Sequence, residues 1–311
     1  MIIEDRHLAM IRETIPAAEV IHAETEKELI EKKVNADILL TWGQYSPIEY
    51  CNFASKLKWI HSLSSGVDGL VKPGITKLPV RISTTKGIHG LPMADHVIGY
   101  ILSFLRGFPL LYSHQQKKLW QKPTNPKPQE SCGKTVGIIG LGEIGNEIAR
   151  KCKMFDMRVV GVKRTPKPIA HVDEIYGLNE VDKLLQESDF VVILVPLTPD
   201  TVHFINEERL HMMKKTAYLI NVGRGPVVDE NALIKVLQDG AIAGAALDAT
   251  EIEPLPQDSL LWTMNNVMIT PHMAADSPFY MDRAFKVFCE NVTLFLKGEK
   301  LQFEVDMATK Y

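Results

Sequence analysis

The chain of 311 residues is poor in several features, and each scarcity narrows what it does. It has four cysteines, Cys51, Cys132, Cys152 and Cys289, and no C-x-x-C pair among them. Their long spacings suit neither a zinc site nor a disulfide-stapled scaffold, so buried reduced thiols and no metal are expected. It has no long apolar run. The most apolar stretch, "VIGYILSFL" at 97–105, is far short of the roughly 20 residues that span a bilayer. The start, "MIIEDRHLAM", lacks the apolar core of a signal peptide. It has no block of like charge: 35 basic and 38 acidic residues leave a net charge of -3, which argues against nucleic acid or an anionic membrane as partner. There is no internal repeat and no low-complexity segment. A soluble, cytoplasmic protein of ordinary globular composition is expected, with 45% apolar residues and length for about two domains.

Apolar runs alternate with charged stretches. Near the start, "ADILLTW", "LKWIHSL" and "VRISTT" read as short buried strands, and "TEKELIEKKVN" as a surface helix. "SSGVDGL" follows the second strand, at a carboxyl end where open α/β sheets hold ligands. Residues 91–116 read as a long apolar helix opened near Pro92 and interrupted at "RGFP" by Pro109. "QKPTNPKPQESCGK" reads as a surface connection. Then six strand candidates follow: "KTVGIIG", "RVVGV", "FVVILVP", "AYLINVG", "IAGAALD" and "NVMITPH". Separated mostly by helical stretches, they make a dinucleotide-binding parallel sheet. "FYMDRAFKVFCENVTLFLKGEK" reads as a closing amphipathic helix.

"VGIIGLGEIGNEIA" leaves a strand and opens a helix. Gly140 suits the tight turn, Gly142 the approach of a pyrophosphate, and Gly145 close helix–strand contact. The helix N-terminus offers free N–H groups to the phosphates. An acidic residue at the end of the next strand would accept from a ribose 2′-OH. This chain has Lys163 and Arg164 there, with Lys163 18 residues beyond Gly145. Two cations attract a 2′-phosphate, so NADP(H) is the expected cofactor and NAD the weaker alternative.

Three later strands end in charged or titratable residues: "LINVGRGPVVDENAL" with Arg224, "GAALDATEIEPLP" with Asp248 and Glu253, and "NVMITPHMAADSP" with His272. Arginine can grip a keto acid's carboxylate and polarise its carbonyl. Histidine can supply the proton an alkoxide needs, and a carboxylate beside it favours the imidazolium.

With these motifs the sequence resembles the D-2-hydroxyacid dehydrogenases, the family of glyoxylate/hydroxypyruvate reductases and D-glycerate, D-lactate and D-3-phosphoglycerate dehydrogenases. The likeness runs through "SSGVD", "GIHGLPMADHVIGYIL", "GIIGLGEIG", "INVGRGPVVDENALIKVL", "GAALDATEIEPLP" and "ITPH", in register over nearly the whole chain. It implies Arg224 as substrate-binding residue, His272 as acid/base and Glu253 as its partner. It implies that the backbone N–H groups of Ser65, Gly66 and Val67 hold the substrate carboxylate. It implies a cofactor site of Gly140, Gly142, Glu143, Ile144, Gly145, Val195, Pro196, Thr201, Asn221, Val222, Gly223, His272 and Ala274, with Asp248 on the nicotinamide carboxamide. The implied fold is α/β in two domains: a Rossmann domain, 92–274, inserted in a discontinuous flavodoxin-like substrate domain, 1–91 and 275–311. A homodimer is implied.

Departures narrow the reading. Ala249 and Thr250 stand where a Val-Phe pair is commoner, and the Lys163–Arg164 pair looks like the NADP-preferring reductases. No regulatory domain follows, which counts against the multidomain phosphoglycerate dehydrogenases. Glu251 reads as a solvated neighbour of Glu253, and His61, His89 and His96 read as structural. Asp229 and Glu230 read as the start of a helix, and Met93 and Trp120 as core. The expected activity is reduction of a small 2-keto acid. The alternative is a dinucleotide-sensing binding protein of the same fold, against which the lack of a long tail argues. Nothing in the sequence calls for formate or phosphite.

Overall fold

The computed structural model describes residues 3–67, 69–72, 74–124 and 127–306. Asp68 of "SSGVD" and Asn125 and Pro126 of the proline-rich connection lie outside the described residues. The chain divides into two compact units, Met1–Ile88 with Ser277–Tyr311, and His89–Asp276. The division falls at Ile88 and Asp276 instead of 91 and 274, because the helix that starts at Gly90 packs within the second unit.

The first unit begins with α1 (Asp5–Thr14), α2 (Glu26–Glu31), β1 (Ile38–Thr41), α3 (Ile48–Phe53), β2 (Trp59–Ser62) and β3 (Arg81–Thr84). The second contains α4 (Gly90–Arg106), α5 (Phe108–Gln116), β4 (Thr135–Ile139), α6 (Glu143–Met154), β5 (Arg158–Val162), β6 (Glu174–Tyr176), α7 (Val181–Glu187), β7 (Phe190–Ile193), α8 (Glu207–Met212), β8 (Tyr218–Asn221), α9 (Glu230–Gln238), β9 (Gly244–Leu247) and β10 (Val267–Ile269). Helix α10 (Tyr280–Leu296) returns to the first unit.

In the first unit the strands pair in parallel, in the order β1-β2-β3. Central β2 is buried along its length. Trp59 stacks on Phe288 of α10, with ring centroids 5.4 Å apart, and its Nε1–H donates to Ser83 Oγ at 2.9 Å. The outer edge of β3 is covered by the chain beyond α10. Thr84 N–H donates to Phe303 O, Val305 N–H donates to Ile82 O, and Arg81 grips Glu304 through two bonds of 2.8 and 2.9 Å. Covering an edge removes a template for unwanted pairing.

In the second unit seven parallel strands run in the order β10-β9-β8-β7-β4-β5-β6. Six were expected. The missed strand, β6, is a three-residue edge reading "EIY", too short to carry a period-2 signal. Strand runs such as "FVVI" are continuously apolar because both faces of the sheet are covered. Val136 and Ile138 of β4 face α4 and α6, whereas Ile139 faces the other way, toward the side chains of α7 and α9.

The interruption expected at "RGFP" is the break between α4 and α5, where Gly107 takes φ 69° and Pro109 sits in the first turn of α5. Two expectations fail nearby. Trp120 is fully exposed, because the described residues between α5 and β4 form no helix or strand and put no layer over it. Cys132 is exposed too, whereas Cys51 and Cys152 are buried and Cys289 is partly so. All four are free thiols. Among the described residues no helix is long and apolar enough to cross a membrane.

Ile138 is fully buried on the central strand. Ile138→Ala should lower stability by about 2–5 kcal/mol through lost transfer energy and a cavity. Denaturant titration checks this, and a loss below about 1 kcal/mol would contradict the packing described.

Candidate active site

The carboxyl ends of β4, β7, β8, β9 and β10, with the segments that follow them, carry the second-unit residues expected at the catalytic and cofactor sites, except the Lys163–Arg164 pair, which follows β5. The direction of strand succession reverses beside β4, whose neighbours are β5 and β7. Open α/β sheets bind ligands at such a switch point.

Gly140 has φ 115°, a conformation L side chains avoid, and a Cβ there would lie 3.1 Å from the Leu194 carbonyl carbon. At Gly142 a Cβ would meet nothing within 4 Å, so open space faces the backbone there. Helix α6 starts at Glu143, so the N–H groups of Glu143, Ile144 and Gly145 point out of its first turn. This cradle fits a pyrophosphate. Lys163 is half-buried, and its Nζ donates to the Leu141 carbonyl at 3.2 Å, whereas Arg164 is exposed. The two cations are therefore not equivalent. Past β7, Thr201 Oγ1 donates to Pro196 O at 2.7 Å and accepts from Thr198 N–H at 2.7 Å, which braces the turn that carries Val195.

Past β8, Asn221 is buried and its side-chain amide is committed to backbone. Oδ1 accepts from Gly223 N–H at 3.1 Å, and Nδ2 donates to Arg224 O at 3.1 Å and Ala249 O at 3.4 Å. Its side chain therefore ties the Arg224 loop to the Glu253 loop. Val222 is buried. At Gly225 a Cβ would sit 1.8 Å from the Thr250 carbonyl oxygen, so these two loops touch where no side chain fits. Arg224 is half-buried, and its Nη1 donates to Gly223 O at 3.0 Å.

Past β9 and β10, His272 Nδ1 lies 2.7 Å from Glu253 Oε2. A carboxylate only accepts, so Nδ1 carries the proton of this bond and Nε2 is the nitrogen left to act. Glu253 Oε1 accepts from Thr250 N–H at 3.2 Å. The hydrogen bond that His272 donates to Glu253 raises the His272 pKa above its ordinary value; burial and the Arg224 charge oppose this without cancelling it. Burial raises the Glu253 carboxyl, but the bond and charge of His272, the Thr250 N–H and Arg224 together leave it lowered. Arg224 thus acts electrostatically on both partners. Glu251 faces elsewhere, with His203 at 3.1 Å and its own N–H on Glu230 Oε2 at 2.9 Å. Besides opening α9, Glu230 therefore anchors the loop that carries Glu253; Asp229 is the N-cap and accepts from Ala232 N–H.

Asp248 is buried. Its Oδ1 accepts from Thr270 Oγ1 at 2.5 Å and Met273 N–H at 2.9 Å, and its Oδ2 accepts from Ala274 N–H at 2.9 Å. Asp248 and Ala274, both expected at the cofactor, are bonded to each other, Ala274 N–H being one of the donors to the Asp248 carboxylate. Sequence reasoning missed Thr270, and with it Tyr100, which follows His96 by one helical turn and reaches Thr270 at 2.5 Å. The only available signals were the Thr in "ITPH" and the i, i+4 spacing of His96 and Tyr100.

His89 is buried at the start of α4, and burial and then the Arg224 charge push it down to about 4. His61, in the first unit, is fully buried between Ser83 and Thr85 and pushed down to about 3 by burial. Also in that unit, the loop past β2 is wound tightly: Ser62 Oγ donates to Ser64 O at 2.8 Å and Gly43 N–H to Ser64 Oγ at 3.1 Å. Among the described residues, none accepts from the N–H groups of Ser65, Gly66 or Val67.

A family model described as D-isomer specific 2-hydroxyacid dehydrogenase, NAD binding domain, matches residues 98–274. A glyoxylate reductase of Thermofilum pendens is 39% identical over 255 residues, covering 81% of this chain and 75% of the relative. Among solved structures, a D-isomer specific 2-hydroxyacid dehydrogenase from Xanthobacter autotrophicus in complex with NADPH and MES superposes with a TM-score of 0.85 at 31% identity, covering 100% and 97% of the two chains. An NADPH-dependent glyoxylate/hydroxypyruvate reductase from Sinorhizobium meliloti, in complex with NADP and sulfate, gives 0.85 at 29% identity, covering 99% and 96%. The fold, the glycine cradle and these matches define an oxidoreductase with a nicotinamide-dinucleotide domain. The chain belongs to the D-isomer specific 2-hydroxyacid dehydrogenase family.

NMR titration of the His272 ring should give a pKa above 6.5, and Glu253→Gln should bring it down by removing the negative acceptor. An unchanged titration in the variant would show that Glu253 does not tune the ring.

Proposed function

We propose that the protein reduces a small 2-keto acid, of the glyoxylate or hydroxypyruvate kind, to the D-2-hydroxy acid with NADPH. The observation that carries the reading is the His272–Glu253 pair at 2.7 Å, with the Arg224 charge acting on both. The glycine cradle, with Gly140, Gly142 and the N–H groups of Glu143, Ile144 and Gly145, would hold the pyrophosphate. The turn of Val195, Pro196 and Thr201, the backbone of Asn221, Val222 and Gly223, and the Asp248–Ala274 segment would border the rest of the cofactor. When bound, the nicotinamide supplies the hydride.

The chain's own residues do the remaining work. Arg224 grips the keto acid and polarises its carbonyl oxygen. The N–H groups of Ser65, Gly66 and Val67 are assigned to the substrate carboxylate; their lack of acceptors among the described residues supports this. His272, kept protonated by Glu253, gives its Nε2 proton to the oxygen as negative charge builds there. Reversal of the reaction returns that proton to the neutral ring. A homodimer is the proposed assembly. Helix α5 buries no side chain of its own, and the exposed Phe108, Tyr112 and Trp120 on and beyond it support that assembly.

The preference for NADPH rests on the cations past β5. Lys163 leans on the glycine loop, so exposed Arg164 is the freer of the two to meet a 2′-phosphate. A charge-assisted bond contributes about 1.5–3 kcal/mol, so Arg164→Ala should cut kcat/KM for NADPH by about 10–10²-fold and leave NADH nearly unchanged. Equal use of both cofactors by the unmodified enzyme would defeat this assignment.

Arg224→Ala should lower keto-acid reduction by about 10²-fold or more. A near-normal rate would remove Arg224 from the mechanism. With hydroxypyruvate as substrate, chiral analysis should find the D product, and a dominant L product would sink the reading.

A further inference from the structure

His272 has φ 51°, a left-handed conformation that residues with a side chain disfavour. Something must hold it there. Its own N–H is shared between Asp248 O at 2.9 Å and Thr270 O at 3.0 Å, and the next two N–H groups, of Met273 and Ala274, donate to the Asp248 carboxylate. The ring therefore stands at the head of a loop wound on Asp248. The orientation of Asp248 depends in turn on Thr270.

Proton counting fixes the directions around Thr270. A carboxylate can only accept, so the Thr270 hydroxyl donates to Asp248 Oδ1 across 2.5 Å. That bond uses its single proton. The other two contacts of Thr270 Oγ1 must then be donated to it: from the Tyr100 hydroxyl at 2.5 Å and from His96 Nε2–H at 3.1 Å. His96 and Tyr100 share one face of α4 and meet edge to face, with centroids 4.6 Å apart. Each donor finds its acceptor, and among the described residues no buried side-chain polar atom lacks a partner. Chains of hydrogen bonds of this kind polarise one another and favour a single arrangement.

We propose that Thr270 is a positioning residue for proton transfer: its hydroxyl, fed by Tyr100 and His96, holds Asp248 against the Met273 and Ala274 N–H groups and thereby sets the ring of His272. Among the described residues the side-chain hydrogen bonds of Thr270 and Tyr100 go to Asp248, His96 and each other, and the Arg224 loop is tied separately by Asn221. The proposal rests on the reductase reading for its kinetic consequence, but its structural consequence stands without it.

Thr270→Val keeps the shape, removes the donor to Asp248 and strips Tyr100 and His96 of their acceptor. It should lower kcat for keto-acid reduction by about 10–10²-fold, the scale of a misplaced catalytic group, and move the keto-acid KM by no more than about threefold. Thr270→Ser restores the hydroxyl and should recover the rate to within about threefold of the unmodified enzyme. Tyr100→Phe leaves Thr270 its proton and should lower kcat by only a few-fold, which keeps the idea testable if the valine variant folds poorly. Hydrogen exchange on the cofactor-free protein gives a readout independent of activity. The amides of Met273 and Ala274 should exchange at least about tenfold faster in Thr270→Val, while those of β4 stay unchanged. Wild-type exchange and wild-type kcat in Thr270→Val would overturn the proposal, as would a serine variant as slow as the valine one. Faster exchange in Thr270→Val beside an unmodified protein that reduces no 2-keto acid would support the positioning role and defeat the reductase reading instead.

Discussion

The short bond between His272 and Glu253 is the constraint on which the site depends. It fixes the tautomer, turns Nε2 outward and keeps the imidazole charged above its ordinary range. A bond of 2.7 Å between side chains from two loops requires both loops to be held. Asn221 ties the Glu253 loop to the Arg224 loop, and Glu230 anchors it again through the Glu251 N–H. Asp248 winds the His272 loop. The polar residues buried beside the candidate active site thus serve as its scaffold.

The scaffold works because the sheet beneath it is rigid and one-directional. Parallel strands put every βα loop of one kind at the same edge, and helices on both faces require strands apolar throughout. That is why β7 reads as an unbroken apolar run and β4 and β8 carry a polar residue only at one end, Thr135 and Asn221, and why five chemically different loops reach one edge. The glycine loop fits the same frame: Gly140 turns against the residues past β7, and Gly142 leaves the α6 N-terminus open to an anion.

Much of this was legible in the sequence, for physical reasons. Long apolar runs bounded by glycine and proline gave the main strands, and Gly107 with Pro109 marked the helix break. Edge strand β6, with one buried residue, left no such pattern. Trp120 was misread because an aromatic residue usually packs, and only the fold reveals that nothing covers it. At the site, Arg224, Glu253 and His272 could be named from motifs. The roles of Asn221, Glu230 and Thr270 could not, because a hydrogen bond to a distant backbone group leaves no trace in local spacing. Lys163 and Arg164 looked interchangeable as a dipeptide, yet one leans on the Leu141 carbonyl and the other faces solvent.

In the proposed reaction His272, tuned by Glu253, moves the proton in both directions. The most direct test is the pH dependence of kcat/KM for keto-acid reduction and for D-hydroxy-acid oxidation, in the unmodified enzyme and in Glu253→Gln. Reduction needs the protonated ring and should fall at alkaline pH; oxidation needs the neutral ring and should fall at acid pH. Both limbs should move to lower pH in the variant. Limbs that superpose in the two proteins, or a reduction rate that does not fall as His272 loses its proton, would contradict it.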